Sequence, residues 1–194
     1  PLLLRFPMTL LQSGLAKSAA ADAYTVDQSL RFDDGDSAYL NKTFGSAGNR
    51  KTWTYSCWVK RGNTVNGNLL WTSDAWMQLY NDTLYNEFGG GSIYQVGNNL
   101  LRDPAAWYHI VWKVDTTGSP TSQMFVNGTE ISYATNNAPA SDAESNIGNA
   151  SEHRIGGTTY LDGYLAEVYF IDGTALDPSS FAETDSATNQ WKPK

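Results

Sequence analysis

The residues best equipped for chemistry are aromatic and amide side chains gathered mid-chain. Trp71, Trp76, Tyr80, Tyr85 and Tyr94 lie close in sequence to Asn81, Asn86, Asn98 and Asn99. Aromatic faces stack on the C–H groups of a sugar ring while amides bond its hydroxyls. This stretch is therefore a candidate glycan site, although the same rings in strands also serve as core or interface. A second group is acidic: Asp33, Asp34 and Asp36 crowd one turn, and Asp162 and Glu167 sit further on. Calcium takes about six to eight oxygen ligands, typically carboxylates and carbonyls from loops, whereas aspartates in a turn equally bond their own backbone. Asp34, Asp36 and Glu167 are the candidate calcium ligands. Glu167 is the one charge within Tyr164–Ile171, and if buried it needs hydrogen bonds or a metal. His109 and His153 have no cysteine partners with which to build a zinc site, and each reads as packed or locally bonded.

Those groups need a scaffold, and the stretch that organises it is Leu161–Gly173, LDGYLAEVYFIDG. Strict alternation puts Leu165, Tyr169 and Ile171 on one side, with Tyr164, Ala166, Val168 and Phe170 on the other. Apolar on both faces, it predicts a strand covered from above and below. From Val26 onward, strand-like runs alternate with Gly, Asn, Asp and Ser clusters, the pattern of an all-β sandwich. The expected strands include Ser29–Phe32, Ala38–Leu40, Thr52–Arg61, Leu69–Thr72, Trp76–Tyr80, Thr83–Phe88, Ser92–Val96, Trp107–Asp115, Gln123–Val126 and Glu130–Tyr133. In Thr52–Arg61, Trp53, Tyr55, Cys57 and Val59 share a face with Trp58 opposite. In Trp107–Asp115, Tyr108, Ile110, Trp112 and Val114 share one. Asn127-Gly128 suits a type I′ hairpin turn. Thr135–Asn149 reads as a loop, Asp177-Pro178 as the start of one helical turn, and Lys60-Arg61 as a solvated strand end.

With 194 residues and a formal charge of −7, the chain suits one domain and lacks the clustered basic residues of a nucleic-acid binder. No apolar run approaches the ~18 residues that would span a bilayer. The one cysteine, Cys57, reads as a small core residue. Asn41, Asn81, Asn127 and Asn149 open N-x-[ST] sequons that chance explains as well as glycosylation does. Residues 1–25 differ in texture from the domain expected over residues 26–194. They form an irregular N-terminal arm whose Leu2, Leu3, Leu4, Phe6, Leu10 and Leu11 are apolar enough to dock on a partner or fold back on the domain.

Taken in order, LRFDDGDSAYL, WTYSCWVKRG, DPAAWYHIVWKVD, MFVNGTEI and LDGYLAEVYFIDGTAL resemble the successive strand signatures of the laminin G-like, concanavalin A-like family. Tyr108 stands where the family's strand has a histidine. The resemblance implies a two-sheet antiparallel jelly-roll sandwich in which the first and last strands pair, so that Asp34, Asp36 and Glu167 could converge. It also implies a test for catalysis, since the family's glucanases carry E-x-D-x-x-E on one strand, with the two glutamates doing the glycoside chemistry. Here Glu183-Thr184-Asp185 is followed by Thr188 and lies beyond the helical turn, off any expected strand. No catalytic residue is assigned, and the chain reads as a non-enzyme.

AAADAYTVDQSLRF, followed by AGNRKTWTYSCWVKRG, is similar to laminin G-like modules in structural proteins of tailed phages, especially marine ones. That likeness implies a virion surface module (decoration, fibre or tail component) that contacts other virion proteins, copies of itself or a host glycan. A secreted carbohydrate-binding or adhesion module is the alternative, and a glycan-active hydrolase the third class.

Overall fold

The computed structural model describes residues Gln28–Lys194. Two antiparallel sheets stack face to face. The first runs in the order β1 (Leu30–Phe32), β13 (Gly163–Asp172), β3 (Thr52–Arg61), β8 (Tyr108–Asp115), β9 (Ser122–Val126) and β10 (Thr129–Glu130). The second runs β11 (Tyr133–Asn136), β7 (Tyr94–Gly97), β6 (Thr83–Glu87), β5 (Trp76–Tyr80), β4 (Gly67–Trp71), β12 (Glu152–Ile155) and β2 (Leu40–Thr43). The first strand lies beside the late β13 and the second beside the late β12, which is the crossed connectivity of a jelly roll. After a 3₁₀ turn at Pro178–Ser180, β14 (Ala182–Thr184) and β15 (Trp191–Pro193) form a small separate hairpin. The arm assigned to residues 1–25, with Leu2, Leu3, Leu4, Phe6, Leu10 and Leu11, lies outside the described residues.

Alternation determines which side chains meet between the sheets. Trp53, Tyr55, Cys57 and Val59 of β3 point inward with Ile110, Trp112 and Val114 of β8, facing Leu69, Met77, Leu79 and Leu84 of the second sheet. Trp53 meets Trp112 edge-on at 4.8 Å, and the Tyr55 hydroxyl crosses the gap to the Leu69 carbonyl at 2.9 Å. Each large apolar side chain buried this way contributes roughly 1.5–3 kcal/mol. Cys57 is a core residue as expected, and burial pushes its thiol up to about 12. Asn127-Gly128 makes the expected hairpin turn, with φ of 48° and 81°.

β13 departs from strict alternation. Ala166 pairs with Trp58, but the next pair is Tyr169 with Ser56, so β13 carries one extra residue. Glu167, at φ 47°, absorbs it as a bulge. Before the bulge Leu165 faces the core; after it Val168 and Phe170 do. Tyr169 is turned outward, on the side of Ala166 rather than of Leu165, because two-residue periodicity is broken between them. β13 also lies second from an edge, and its outer cover is the β14–β15 hairpin. Ala166 packs there with Trp58, Ala182, Trp107 and Trp191.

Other expectations need correction. β2 starts at Leu40 rather than ending there, because its register is set by β12, from Ile155↔Leu40 to Glu152↔Thr43. The polar stretch after Thr135 begins as edge strand β11, paired with β7. Glu183 and Thr184 are in a strand after all. Arg61 is buried, not solvated: its guanidinium meets Asp82 at 3.1 Å and the carbonyls of Asn63, Val65 and Leu101. A planar fork matched by that many acceptors can be withdrawn from water.

Candidate functional site

The second sheet turns Met77 and Leu79 of β5 into the core, which leaves Trp76, Gln78 and Tyr80 on its outward face. Register does the rest. Trp76 stands opposite Trp71 on one side and Glu87 on the other, Glu87 opposite Tyr94, Gln78 opposite Tyr85, and Tyr85 opposite Val96. All the aromatic residues expected of a glycan site, Trp71, Trp76, Tyr80, Tyr85 and Tyr94, are therefore on one surface and partly exposed. The rings of Tyr80 and Tyr85 lie 5.6 Å apart and those of Tyr85 and Tyr94 5.8 Å apart, the latter stacked at 20°.

This surface is hollowed in two places. One hollow, about 400 Å³, is floored by Trp76, Gln78, Tyr80, Tyr85, Tyr94 and Val96. The other, about 290 Å³, lies among Asn68, Trp71, Trp76, Gln78, Thr158 and Thr159. They share Trp76 and Gln78, so together they form one groove crossing the strands. Glu87 is nearly buried at its side and accepts from the Tyr85 hydroxyl at 2.8 Å and the Gly91 N–H at 2.6 Å. Burial first, and then that bond to a carboxylate, push the Tyr85 phenol well above its ordinary value. Beneath the groove, Gln95 bonds Asn86, Ser122 and Asn136, and Ser122 bonds the Trp112 indole at 2.9 Å. A satisfied buried network of this kind fixes the strands that carry the rings.

Sequence reasoning misassigned or missed several residues here. Asn86 points inward and is committed to Gln95, so it offers nothing to a sugar. Asn81 sits at φ 46° in the β5–β6 turn, and Asn98 bonds Ser132. Gln78 and Glu87 went unnoticed although the period of two places them with Trp76 and Tyr85. Arg154 could not have been found, because β12 joins β4 from far along the chain. Its guanidinium lies 5.0 Å over Trp71 and 4.9 Å over Tyr39, with Glu152 at 2.9 Å.

The candidate calcium ligands are not brought together. Asp34 and Asp36 lie in the turn beyond the Phe32↔Gly163 end of β1, whereas Glu167 lies past the Leu30↔Leu165 end. At about 3.3 Å per residue the four steps of β13 from Gly163 to Glu167 alone separate them by roughly 13 Å. Among the described residues there is no group of three or more His, Cys, Asp or Glu that could hold a metal ion. The Asp33 carboxylate caps the Gly35 N–H within its own turn, and Arg31 links Asp33 to Asp162 by exposed ion pairs. Glu167 is partly exposed in its bulge rather than buried, and accepts from the Tyr169 hydroxyl.

The outward face of the first sheet holds a Ser–His pair: Ser56 Oγ lies 2.9 Å from His109 Nε2. The Trp191 indole N–H, a donor only, points at His109 Nδ1 at 3.1 Å. Nδ1 must therefore accept, and Nε2–H donates to Ser56. Where a hydrolase would have a carboxylate, this histidine has a tryptophan, and it is wholly buried under it. Burial depresses His109 to about 4. His153 is likewise satisfied locally, by the Ser151 carbonyl and the Gly148 N–H.

Comparison with known proteins agrees with this architecture. A family model described as the concanavalin A-like lectin/glucanases superfamily matches residues 33–180. Comparison with curated protein sequences gives no match. Among solved structures, the heptameric SAP-like pentraxin of Limulus polyphemus is similar at 13% identity and a TM-score of 0.55, over 76% of this chain and 77% of that one. Domains LG4-5 of the mouse laminin alpha1 chain are similar at 17% identity and a TM-score of 0.56, over 84% of this chain and 48% of that one. Botulinum neurotoxin type C, whose cell entry depends on interaction with two ganglioside molecules, is similar at 12% identity and a TM-score of 0.52, over 78% of this chain and 40% of that one.

Proposed function

Because this chain belongs to the concanavalin A-like lectin/glucanases superfamily, we propose that it is a non-catalytic module that binds glycan across the outward face of its second sheet. The observation that carries the reading is the groove shared by Trp71, Trp76, Tyr80, Tyr85 and Tyr94, with Gln78 between its two hollows. Partly exposed rings supply stacking faces, and the Gln78 carboxamide and threonine hydroxyls supply bonds to hydroxyl groups. That another bearer of the fold engages gangliosides is in keeping with this use. The absence of catalysis is supported by the placement of the acids. The groove's lining residues include no carboxyl to serve as acid or nucleophile, Glu87 beside it is committed to Tyr85 and Gly91, and Glu183 and Asp185 belong to the separate C-terminal hairpin and its turn.

Trp76 lines both hollows, so Trp76→Ala is the decisive variant. On a panel of immobilised plant, microbial and animal glycans, the chain should retain at least one class, and Trp76→Ala should weaken that binding about tenfold or more. Failure to bind any of the panel, or unchanged binding by a folded Trp76→Ala, would sink the reading.

The biological setting we propose is the surface of a phage particle, with the chain's apolar arm meeting virion partners or copies of itself. The phrases AAADAYTVDQSLRF and AGNRKTWTYSCWVKRG support it; secretion as an adhesion module is the alternative. Peptides of this chain in gradient-purified particles would support the first setting, and peptides confined to the particle-free secreted fraction the second.

A further inference from the structure

The half of the groove beside Trp71 is shaped by a bulge. Asn68 pairs with Gln78 and Trp71 with Trp76, but between these pairs Leu69 and Leu70 have only Met77 opposite them. Both leucines are buried in the core, so the extra residue brings Asn68 and Trp71, three apart, onto one face. Strict alternation would have separated them.

Asn68 faces outward beside Gln78, yet it is only 2% exposed. Its Nδ2 donates to the Gly157 carbonyl at 2.7 Å and to Thr158 Oγ1 at 2.8 Å, and its backbone N–H donates to the Thr159 carbonyl at 2.8 Å. A carbonyl only accepts, so the group facing Gly157 is the NH2, and that fixes where Oδ1 lies. Asn68 Oδ1 is buried and accepts no hydrogen bond. A shielded acceptor without a donor is costly. Gln78, half-buried, stands directly opposite and lines both hollows. Side chains facing each other across a strand pair have their Cβ atoms about 5 Å apart, so rotation of Gln78 brings its Nε2 to Asn68 Oδ1.

Charge narrows the ligand. Among the described residues, none that lines either hollow is charged. Arg154, over Trp71, is ion-paired with Glu152 at 2.9 Å. An anionic group docked here would leave water without a counter-charge, which is unfavourable.

We propose that this half of the groove is the selective subsite of the glycan site, taking an uncharged sugar unit read by Gln78 with Asn68 behind it. The inference rests on the glycan-binding reading above. As the sugar docks, Gln78 donates one N–H to Asn68 Oδ1, which pairs the orphan acceptor and holds the carboxamide in one orientation. Gln78 Oε1 then accepts from a sugar hydroxyl. The Thr158 oxygen already accepts from Asn68, which leaves its O–H to donate to a sugar oxygen. Gln78 is the contact residue and Asn68 its positioning residue.

The test measures binding of the full-length chain to neutral hexose oligosaccharides and to uronic-acid and sulfated oligosaccharides of matched length. The chain should prefer its best neutral ligand by about tenfold or more. Gln78→Glu keeps the size but has no N–H for Asn68, and should weaken that binding about tenfold or more with a urea midpoint near that of the parent. Asn68→Leu should weaken it similarly, and the double variant should be no worse than either single one, because the two amides act as a unit. If Asn68→Leu does not fold, Gln78→Glu and Gln78→Leu carry the test with Asn68 intact. Preference for an anionic oligosaccharide, additive losses in the double variant, or parent-like binding by Gln78→Glu where Trp76→Ala has lost it, would each overturn the proposal and leave the glycan reading standing. Binding to none of the oligosaccharides would overturn both.

Discussion

On the outward face of the first sheet, Trp58 stacks on His109 and both are roofed by Phe181 and Trp191. On the outward face of the second, Trp71, Trp76, Tyr85 and Tyr94 stand partly exposed, with no third layer over them among the described residues. Both faces are built from aromatic-rich strands that alternate in the same way. What separates them is the last stretch of chain, which folds back as β14–β15 over one face and leaves the other open. An aromatic residue on an outward face thus acquires its role from what covers it. Covered, it is core; uncovered, it is available for a ligand.

The contrast is sharpest in stability. Trp58→Ala should cost about 3–5 kcal/mol, as expected for emptying a packed tryptophan site. Trp76→Ala, on the open face, should stay within about 1 kcal/mol in the same urea titration. Comparable losses would erase the distinction between the faces.

Acid should attack the covered face first. His109 is held neutral in the folded chain and depressed to about 4 by burial, against an ordinary value of 6.5. Between these values the unfolded chain binds the proton and the folded chain does not, so stability falls as pH drops from 6.5 toward 4. The full loss is about 3 kcal/mol. Asp82, Asp115, Glu152 and Asp185 are shifted downward, each chiefly by a hydrogen bond to its carboxylate, and their losses come only below their unfolded values near 4. Urea midpoints measured at intervals of pH should show an early phase that His109→Phe diminishes, the remainder belonging to His153, which burial also depresses.

The roof also depends on the β9–β10 turn. A Cβ on Gly128, at φ 81°, would approach the Trp191 ring to 2.9 Å. Gly128→Ala should therefore cost about 1–2 kcal/mol and shift Trp191 fluorescence. On the open face, Tyr85→Phe separates bonding from stacking. It removes the hydroxyl bond to Glu87 at about 1 kcal/mol but keeps the ring, so thermal melting should move slightly and glycan binding by stacking should survive.

The strands were legible in the sequence wherever a period of two ran uninterrupted, as in Trp53–Val59 and Trp76–Tyr80. The aromatic set of the groove was legible for the same reason. What could not be read was the partner of each strand. Arg154 reaches Trp71 only because β12 pairs with β4, and the expected meeting of Asp34, Asp36 and Glu167 failed on register, which composition does not encode. Asn86 was misassigned because its alternation was outweighed by its polarity. Its inward position is held by the bond it donates to Gln95 on the neighbouring strand, and Gln95 in turn accepts from Ser122 across the sandwich.

The extra residue at Glu167 makes β13 a strand written in two reading frames. Upstream of it the core is addressed by Leu165 and downstream by Val168 and Phe170, and Glu167 is the single residue by which the two counts differ. Deleting it would therefore merge the frames: Val168 would stand opposite Cys57, still facing inward, and every pair from Tyr169↔Ser56 onward would be kept. Substituting Glu167 keeps the bulge; removing it would straighten β13 without changing which side chains address the core.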